Sequence, residues 1–141
     1  AINNNNITGT VPEIIWELHD LRELLLSCNS FEGTLSSNIN NLDELKALDI
    51  KNNNFSGKIP PEIGRISPDY LFFQGNDFNG TMPSDLCGPR LKQLWADCGE
   101  VTCCCCTACC EDGSVCQMNK DDQKNCDSND TSEKPAGKAD P

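Results

Sequence analysis

The sequence has a single histidine, His19, and a single tyrosine, and aromatic residues make up only 6% of it. No serine or cysteine stands near His19 with an acid, so a nucleophile–base–acid set cannot be assembled around it. Between Leu18 and Leu21 it reads as an exposed structural residue. Basic residues are scarce: 11 Lys and Arg against 22 Asp and Glu give a formal charge of -11. A chain this acidic is expected to bind no nucleic acid and no anionic membrane surface. No apolar run approaches the roughly 20 residues that cross a bilayer, so no direct membrane insertion by these residues is expected. A phosphate-cradling loop is missing too, because Gly33, Gly57 and Gly80 come singly at a regular interval, which is a turn pattern. The carboxylates follow solvent-facing positions and imply no catalytic pair. The reading is of a chain without catalysis and without a cofactor.

What is present is a repeat. Leu48 to Pro60 reads LDIKNNNFSGKIP, or L-x-L-x-x-N-x-F-x-G-x-I-P. The frame recurs at Leu24, Leu26, Asn29, Phe31, Gly33 and Leu35, and again at Leu71, Phe73, Asn76, Phe78, Gly80, Met82 and Pro83. A clipped copy opens the chain at Asn5, Ile7, Gly9, Val11 and Pro12. The ladder asparagines Asn5, Asn29, Asn53 and Asn76 step by 24, 24 and 23 residues, an interval that marks a solenoid. Leu48 and Ile50 alternate as a strand does. Asn53 falls where the chain must turn, and its carboxamide can satisfy backbone groups that the strand no longer pairs. Phe55 and Ile59 return to the interior, Gly57 permits a conformation that a Cβ opposes, and Pro60 suits an irregular arc. The arcs between strands place Ile15, Leu18, Leu21 and Leu24, then Ile39, Leu42, Leu45 and Leu48, at steps of three, a 3-10-like spacing. The third arc starts with Ile63 and Ile66 and breaks at Ser67-Pro68-Asp69, one residue short, so a local deviation is expected there. Leu94, Ala96 and Cys98 continue the alternation of a last strand, and the frame then stops.

With its G-x-I/V-P ending, the frame resembles the plant-type leucine-rich repeat of receptor-like proteins and polygalacturonase inhibitors, over residues 1 to 98. The resemblance implies an α/β fold: a right-handed leucine-rich-repeat solenoid, or horseshoe, with a short parallel concave β-sheet and a 3-10 or irregular convex side. About four repeats are expected in 1–98, the first truncated, with a cap over 84–98. A cysteine-rich segment follows over 99–126 and a disordered acidic tail over 127–141. The opening AINNNNITG lies inside a repeat, with no Met, signal-peptide core or capping segment ahead of it. The chain is therefore expected to be the carboxy-terminal piece of a longer protein.

Ten of the eleven cysteines fall from Cys87 onward, an even number that permits full pairing. Cys87 and Cys98 flank the last half-repeat, as in the cysteine-paired caps of the family, where a disulfide between them would staple the end of the core. The alternative is that either one pairs with the cluster of Cys103, Cys104, Cys105, Cys106, Cys109, Cys110 and Cys116, with Cys126 beyond; connectivity is not legible from spacing. The cluster resembles the run that follows the cap in microalgal leucine-rich repeat proteins. One reading is a disulfide scaffold in an extracellular, oxidising setting. Another is a thiol-rich, metal-binding tail on a structural scaffold, because Cys103 and Cys106, or Cys106 and Cys109, have a spacing that grips soft ions such as zinc. Against it, the two halves overlap and no histidine is near. Lipidation and redox sensing are lesser readings. Cys28, alone within a repeat, reads as a free thiol.

Four N-x-[ST] sequons occur, at Asn6, Asn54, Asn79 and Asn129. The first three are expected at or beside one solvent-facing edge, where glycans would close it to partners. Stacked strands line up equivalent positions in columns on the concave face. The columns are Glu23, Ala47, Tyr70 and Gln93; Leu25, Asp49, Phe72 and Trp95; and Ser27, Lys51, Gln74 and Asp97. Tyr70, Phe72 and Trp95 are thus expected as exposed neighbours, with Asp49, Lys51, Gln74 and Asp97 around them, unless the cysteine-rich segment folds back over them. The expected function is recognition of a protein or glycan ligand by this face, extracellular or at the cell surface, in a receptor-like or inhibitor role. The alternatives are the metal-binding tail and an ectodomain piece of a receptor kinase.

Overall fold

Each repeat contributes two short strands and one 3-10 turn, because its apolar residues change period twice. In the computed structural model, which describes residues 1–111 and the backbone of 115–118, the strands run β1 (Thr8–Gly9), β2 (Glu23–Leu25), β3 (Ser30–Thr34), β4 (Ala47–Asp49), β5 (Asn54–Lys58), β6 (Tyr70–Phe72), β7 (Asp77–Thr81), β8 (Gln93–Ala96), β9 (Val101–Thr102), β10 (Ala108–Glu111) and β11 (Val115–Met118). The 3-10 turns are Glu13–Glu17, Ser37–Asn41, Pro61–Arg65 and Ser84–Leu86. Asn129, Cys126 and the expected disordered tail lie outside the described residues.

Two sheets result. One has the order β11-β10-β8-β6-β4-β2, parallel except where β11 turns back against β10. The other is parallel throughout, in the order β1-β3-β5-β7-β9. The first is the expected concave sheet, and the fold is the expected leucine-rich-repeat solenoid with 3-10 turns on the far side. The second sheet was not expected. The segment after each ladder asparagine was read as an irregular arc, yet it alternates: Phe31, Phe55 and Phe78 are buried while their strand neighbours Glu32, Asn54 and Asn79 are exposed. What hides this period is Gly33, Gly57 and Gly80, each at a positive φ of 79 to 88° inside its strand. A Cβ at Gly57 would meet Thr34 Cγ2 at 3.1 Å, so the conformation and the close approach both ask for glycine.

The ladder asparagines join the two sheets. Asn53 Nδ2 donates to the carbonyls of Leu26, Ile50 and Lys51, while its Oδ1 accepts from the N–H of Phe31 in the preceding repeat. Asn76 repeats this one repeat on: its Nδ2 donates to the carbonyls of Ile50 and Phe73, and its Oδ1 accepts from the N–H of Phe55. Both side chains are buried, and losing either would leave several backbone groups unpaired. Asn29 and Asn5 make the same kinds of bond at the amino-terminal end.

The core is one cluster running the length of the stack. Ile39, Leu42, Leu45 and Leu48 are fully buried, as the steps of three predict. Phe31, Phe55 and Phe78 form a spine at centroid separations of 6.4 and 6.2 Å. The first arc departs from the pattern: Leu18 is 45% exposed and Trp16 is buried in its place. The short third arc deviates where expected. Ile66, which closes the third 3-10 turn, is extended at ψ 167°, where Leu18 and Leu42 sit near ψ 70°. Asp69 and Tyr70 N–H then both donate to Lys46 O, the pattern that Lys46 and Ala47 make with Arg22 O, so register is recovered within three residues.

Of the two pairings left open for Cys87 and Cys98, the structure has the second: they do not pair with each other, and each pairs with the downstream cluster. Cys87 pairs with Cys105, Cys98 with Cys109, and Cys103 with Cys106. Cys104 and Cys110 are disulfide-bonded as well. The reason is that the chain does not end its stacking at Cys98. β9 adds to β7 and β10 adds to β8, so the cysteine-rich segment lies against the last repeat and brings Cys105 and Cys109 to the two flanking cysteines.

Candidate functional site

The concave face is built from the outward positions of β2, β4, β6 and β8. Leu24, Leu48, Leu71 and Leu94 point into the core, which forces their strand neighbours outward. Register then sets Asp49 beside Phe72 and Phe72 beside Trp95, with Tyr70 between Ala47 and Gln93. Tyr70, Phe72 and Trp95 are all half-buried. The Phe72 and Trp95 rings meet edge to face, with centroids 5.5 Å apart and planes at 89°. Lys51 Nζ stands 5.6 Å over the Phe72 ring and 3.5 Å from an Asp49 carboxylate oxygen.

Two residues escaped the sequence reading. Lys92 Nζ lies 5.6 Å over the Tyr70 ring and donates to Asp69 Oδ2 at 3.1 Å. The Asp69 carboxylate, first through this hydrogen bond and then through its charge, raises the Lys92 pKa, and Tyr70 adds to the effect. The signal was available: Asp69 and Lys92 are one repeat apart and each directly precedes a concave strand. The outcome is two parallel arrangements, an aromatic ring flanked by a lysine that an aspartate holds.

Gln74 and Asp97 do not belong to the open patch. They are only 3% and 7% exposed. Asp97 instead closes the backbone ladder. Asn4, Cys28 and Asn52 N–H donate to the carbonyls of Ser27, Lys51 and Gln74, one repeat on. At the last step Asp97 O is taken by the N–H groups of Glu100 and Val101, and Gly75 N–H donates to the Asp97 carboxylate at 2.6 Å. The column rule fails here because the backbone leaves the repeat path at Asp97. Gln74 Oε1 and Trp95 Nε1 are shielded from solvent and have no hydrogen-bond partner among the described residues.

The cysteine-rich segment extends this sheet. β10 pairs alongside β8, with Ala108 opposite Trp95, so the aromatic cluster sits near the middle of a six-stranded surface. Cys103, Cys106 and Cys109 are all in disulfides and have no thiolate to offer a metal, which removes the ligands of the metal-binding alternative. Cys116 contributes its backbone opposite Cys110. Cys28 is free and half-buried, at φ 58°, with its sulfur accepting from Asn52 Nδ2 at 3.8 Å. His19 is exposed in the turn between the first 3-10 turn and β2, its Nδ1 2.9 Å from Asn41 O. Asn6, Asn54 and Asn79 are exposed on or beside the second sheet.

The leucine-rich repeat family profile matches residues 20–42 and 44–66. No curated protein matches the sequence. Among solved structures, the chain is similar to the ectodomain of the Arabidopsis receptor kinase HAESA in complex with an amino-terminally extended IDA peptide hormone, at 34% identity and a TM-score of 0.67, over 72% of this chain and 17% of that one. It is similar to a chain of the BIR3–SERK2 complex from Arabidopsis thaliana, at 31% identity and a TM-score of 0.58, over 67% of this chain and 53% of that one. It is also similar to the plant peptide hormone receptor RGFR1 in complex with RGF2, at 28% identity and a TM-score of 0.65, over 73% of this chain and 19% of that one. The chain thus spans about half the length of one of these and under a fifth of the other two.

Proposed function

Taking as premise that the chain is a leucine-rich repeat protein built like plant receptor ectodomains, we propose that its concave face binds a protein or peptide segment, anchored on Tyr70, Phe72 and Trp95. The observation that carries this reading is the half-buried aromatic cluster in the middle of the six-stranded sheet, with lysines poised over two of its rings. Rings of this kind on a rigid sheet offer large contact area at little entropic cost. The geometry favours protein over glycan. Phe72 and Trp95 stand at right angles, so they make a notch for a side chain and no flat platform on which a sugar ring could stack. Asp49 beside Lys51, and Asp69 beside Lys92, supply both charges at the rim and suit a mixed polar ligand.

The chain acts by binding, in receptor-like recognition or in an inhibitor role, and has no catalytic duty of its own. It resides outside the cell or on its surface, where the disulfides of the cysteine-rich segment are stable. An ectodomain piece of a receptor kinase fits the same face and the same setting. The test is selection of peptides from a random displayed library on the intact chain, followed by titration of the selected peptides against Phe72→Ala and Trp95→Ala. Each substitution is expected to weaken binding by more than about 1 kcal/mol, roughly fivefold or more, while His19→Ala has no effect. Peptides that bind the two aromatic variants as well as the parent chain would remove the concave cluster from the account.

A further inference from the structure

We propose that the outer face of the five-stranded sheet is an N-glycosylated surface, with glycans on Asn6, Asn54 and Asn79, and that the six-stranded sheet stays bare. Three observations converge. Each of these asparagines is exposed, and none of their carboxamides makes a hydrogen bond among the described residues. The ladder residues Asn29, Asn53 and Asn76, by contrast, spend their amide hydrogens on backbone carbonyls and could not give one up. Each of the three free asparagines has its hydroxyl two residues on, at Thr8, Ser56 and Thr81. The alternation of the strands puts Phe55 and Phe78 in the core, which turns Asn54 and Asn79 outward on neighbouring strands.

The spacing leaves room for all three. Asn79 lies opposite Lys58 in register, and Asn54 begins the same strand that Lys58 ends. The attachment points on β5 and β7 are therefore offset by roughly 13 Å along the strand direction. Asn6 precedes β1, two strands from β5, which adds roughly 10 Å across the sheet. No sequon falls on β2, β4, β6 or β8. The donor is an oligosaccharide linked to a lipid through pyrophosphate. A bond forms between Asn Nδ2 and the anomeric carbon, the bond from that carbon to the pyrophosphate breaks, the amide gives one proton to a base of the transferase, and the lipid pyrophosphate leaves. The result is a chain with one sugar-covered sheet and one protein-binding sheet.

The test needs no binding partner, so its failure is separate from failure of the concave-face reading. The full chain carrying Asn129→Gln is secreted from a eukaryotic cell and weighed intact before and after an amidase that cleaves glycan from asparagine and leaves aspartate. Three glycans are expected, with aspartate found at positions 6, 54 and 79 by peptide mapping of the parent chain. Asn6→Gln, Asn54→Gln and Asn79→Gln are each expected to remove one glycan mass. A secreted chain with the mass of the bare polypeptide overturns the proposal, and unconverted asparagine at any of the three strikes out that site. Deglycosylation is further expected to speed acylation of Lys58, opposite Asn79, and to leave Lys51 on the concave sheet unchanged. Equal acceleration at both lysines would overturn the claim that one face is bare.

Discussion

The repeats up to Pro83 and the segment from Cys87 to Glu111 extend the same two sheets by different chemistry. In the repeats, each strand is fixed by what stacks on it: a core leucine, a phenylalanine of the spine, and a buried asparagine that satisfies the turn. Past Cys98 in the second region the asparagine frame and the apolar period are gone. Side chains and disulfides stand in for them. The Asp97 carboxylate replaces a carbonyl, and the Thr107 hydroxyl accepts from Leu94 N–H at 2.9 Å. Cys98–Cys109 fastens β10 to the end of β8. A solenoid must close its last apolar layer, and this one does so with covalent bonds because the sequence there is too poor in large apolar residues to do it by burial.

The largest effect is expected in the repeats. Phe55 is 1% exposed and lies between Phe31 and Phe78, so Phe55→Ala opens a cavity in the middle of the spine and removes two ring contacts. A loss of about 3–5 kcal/mol follows, measured by urea unfolding, and amide exchange is expected to rise on both sides of the substitution. A loss below about 1 kcal/mol would mean that stacking in the repeats is less cooperative than the single core cluster implies.

The cap is expected to respond less and more locally. Replacing Cys98 and Cys109 together by Ala frees a short loop, for which the loss is about 2–4 kcal/mol. Amide exchange is expected to rise in β10 and in the last part of β8 and to stay unchanged in β4 and β5. If β4 and β5 loosened equally, the two regions would be one cooperative unit and the contrast between them would fail. If β10 stayed protected, its pairing with β8 and the Thr107 clamp would suffice without the covalent bond.

The same contrast governs what could be read from the sequence. The ladder asparagines were legible because a buried turn needs a carboxamide, and Asn29, Asn53 and Asn76 recur in step. The second sheet was not, because Gly33, Gly57 and Gly80 interrupt a period of two that is otherwise present around Phe31, Phe55 and Phe78. The aromatic cluster was legible from columns of equivalent positions. Asp97 was misplaced by that same rule, since a column holds only while the backbone keeps to the repeat. The pairing of Cys87 and Cys98 was out of reach, because which thiols meet depends on where β9 and β10 dock and no spacing encodes that.

The smallest expected effect lies at the junction of the two regions. Lys92 and Gln93 N–H both donate to Asp69 O, and the Lys92 ammonium donates to the Asp69 carboxylate at 3.1 Å. That carboxylate, with Tyr70 beside it, holds the Lys92 pKa above the ordinary 10.5, so the folded chain keeps this proton more tightly than the unfolded chain does. The contribution of the pair is therefore complete at neutral pH, still complete up to the unfolded value, and lost as pH rises through the raised folded value. Its side chain is solvent-exposed, so the contribution is small and falls with salt. Lys92→Gln is expected to lower the urea midpoint slightly at pH 8 in low salt, with the gap to the parent chain closing in high salt and again above about pH 10.5. A gap that persisted under both conditions would show that Lys92 acts through packing of its stem on the Tyr70 ring, which neither salt nor deprotonation removes. The junction would then be held by an apolar contact of the repeat kind, and the change of chemistry would begin after Lys92, at Asp97.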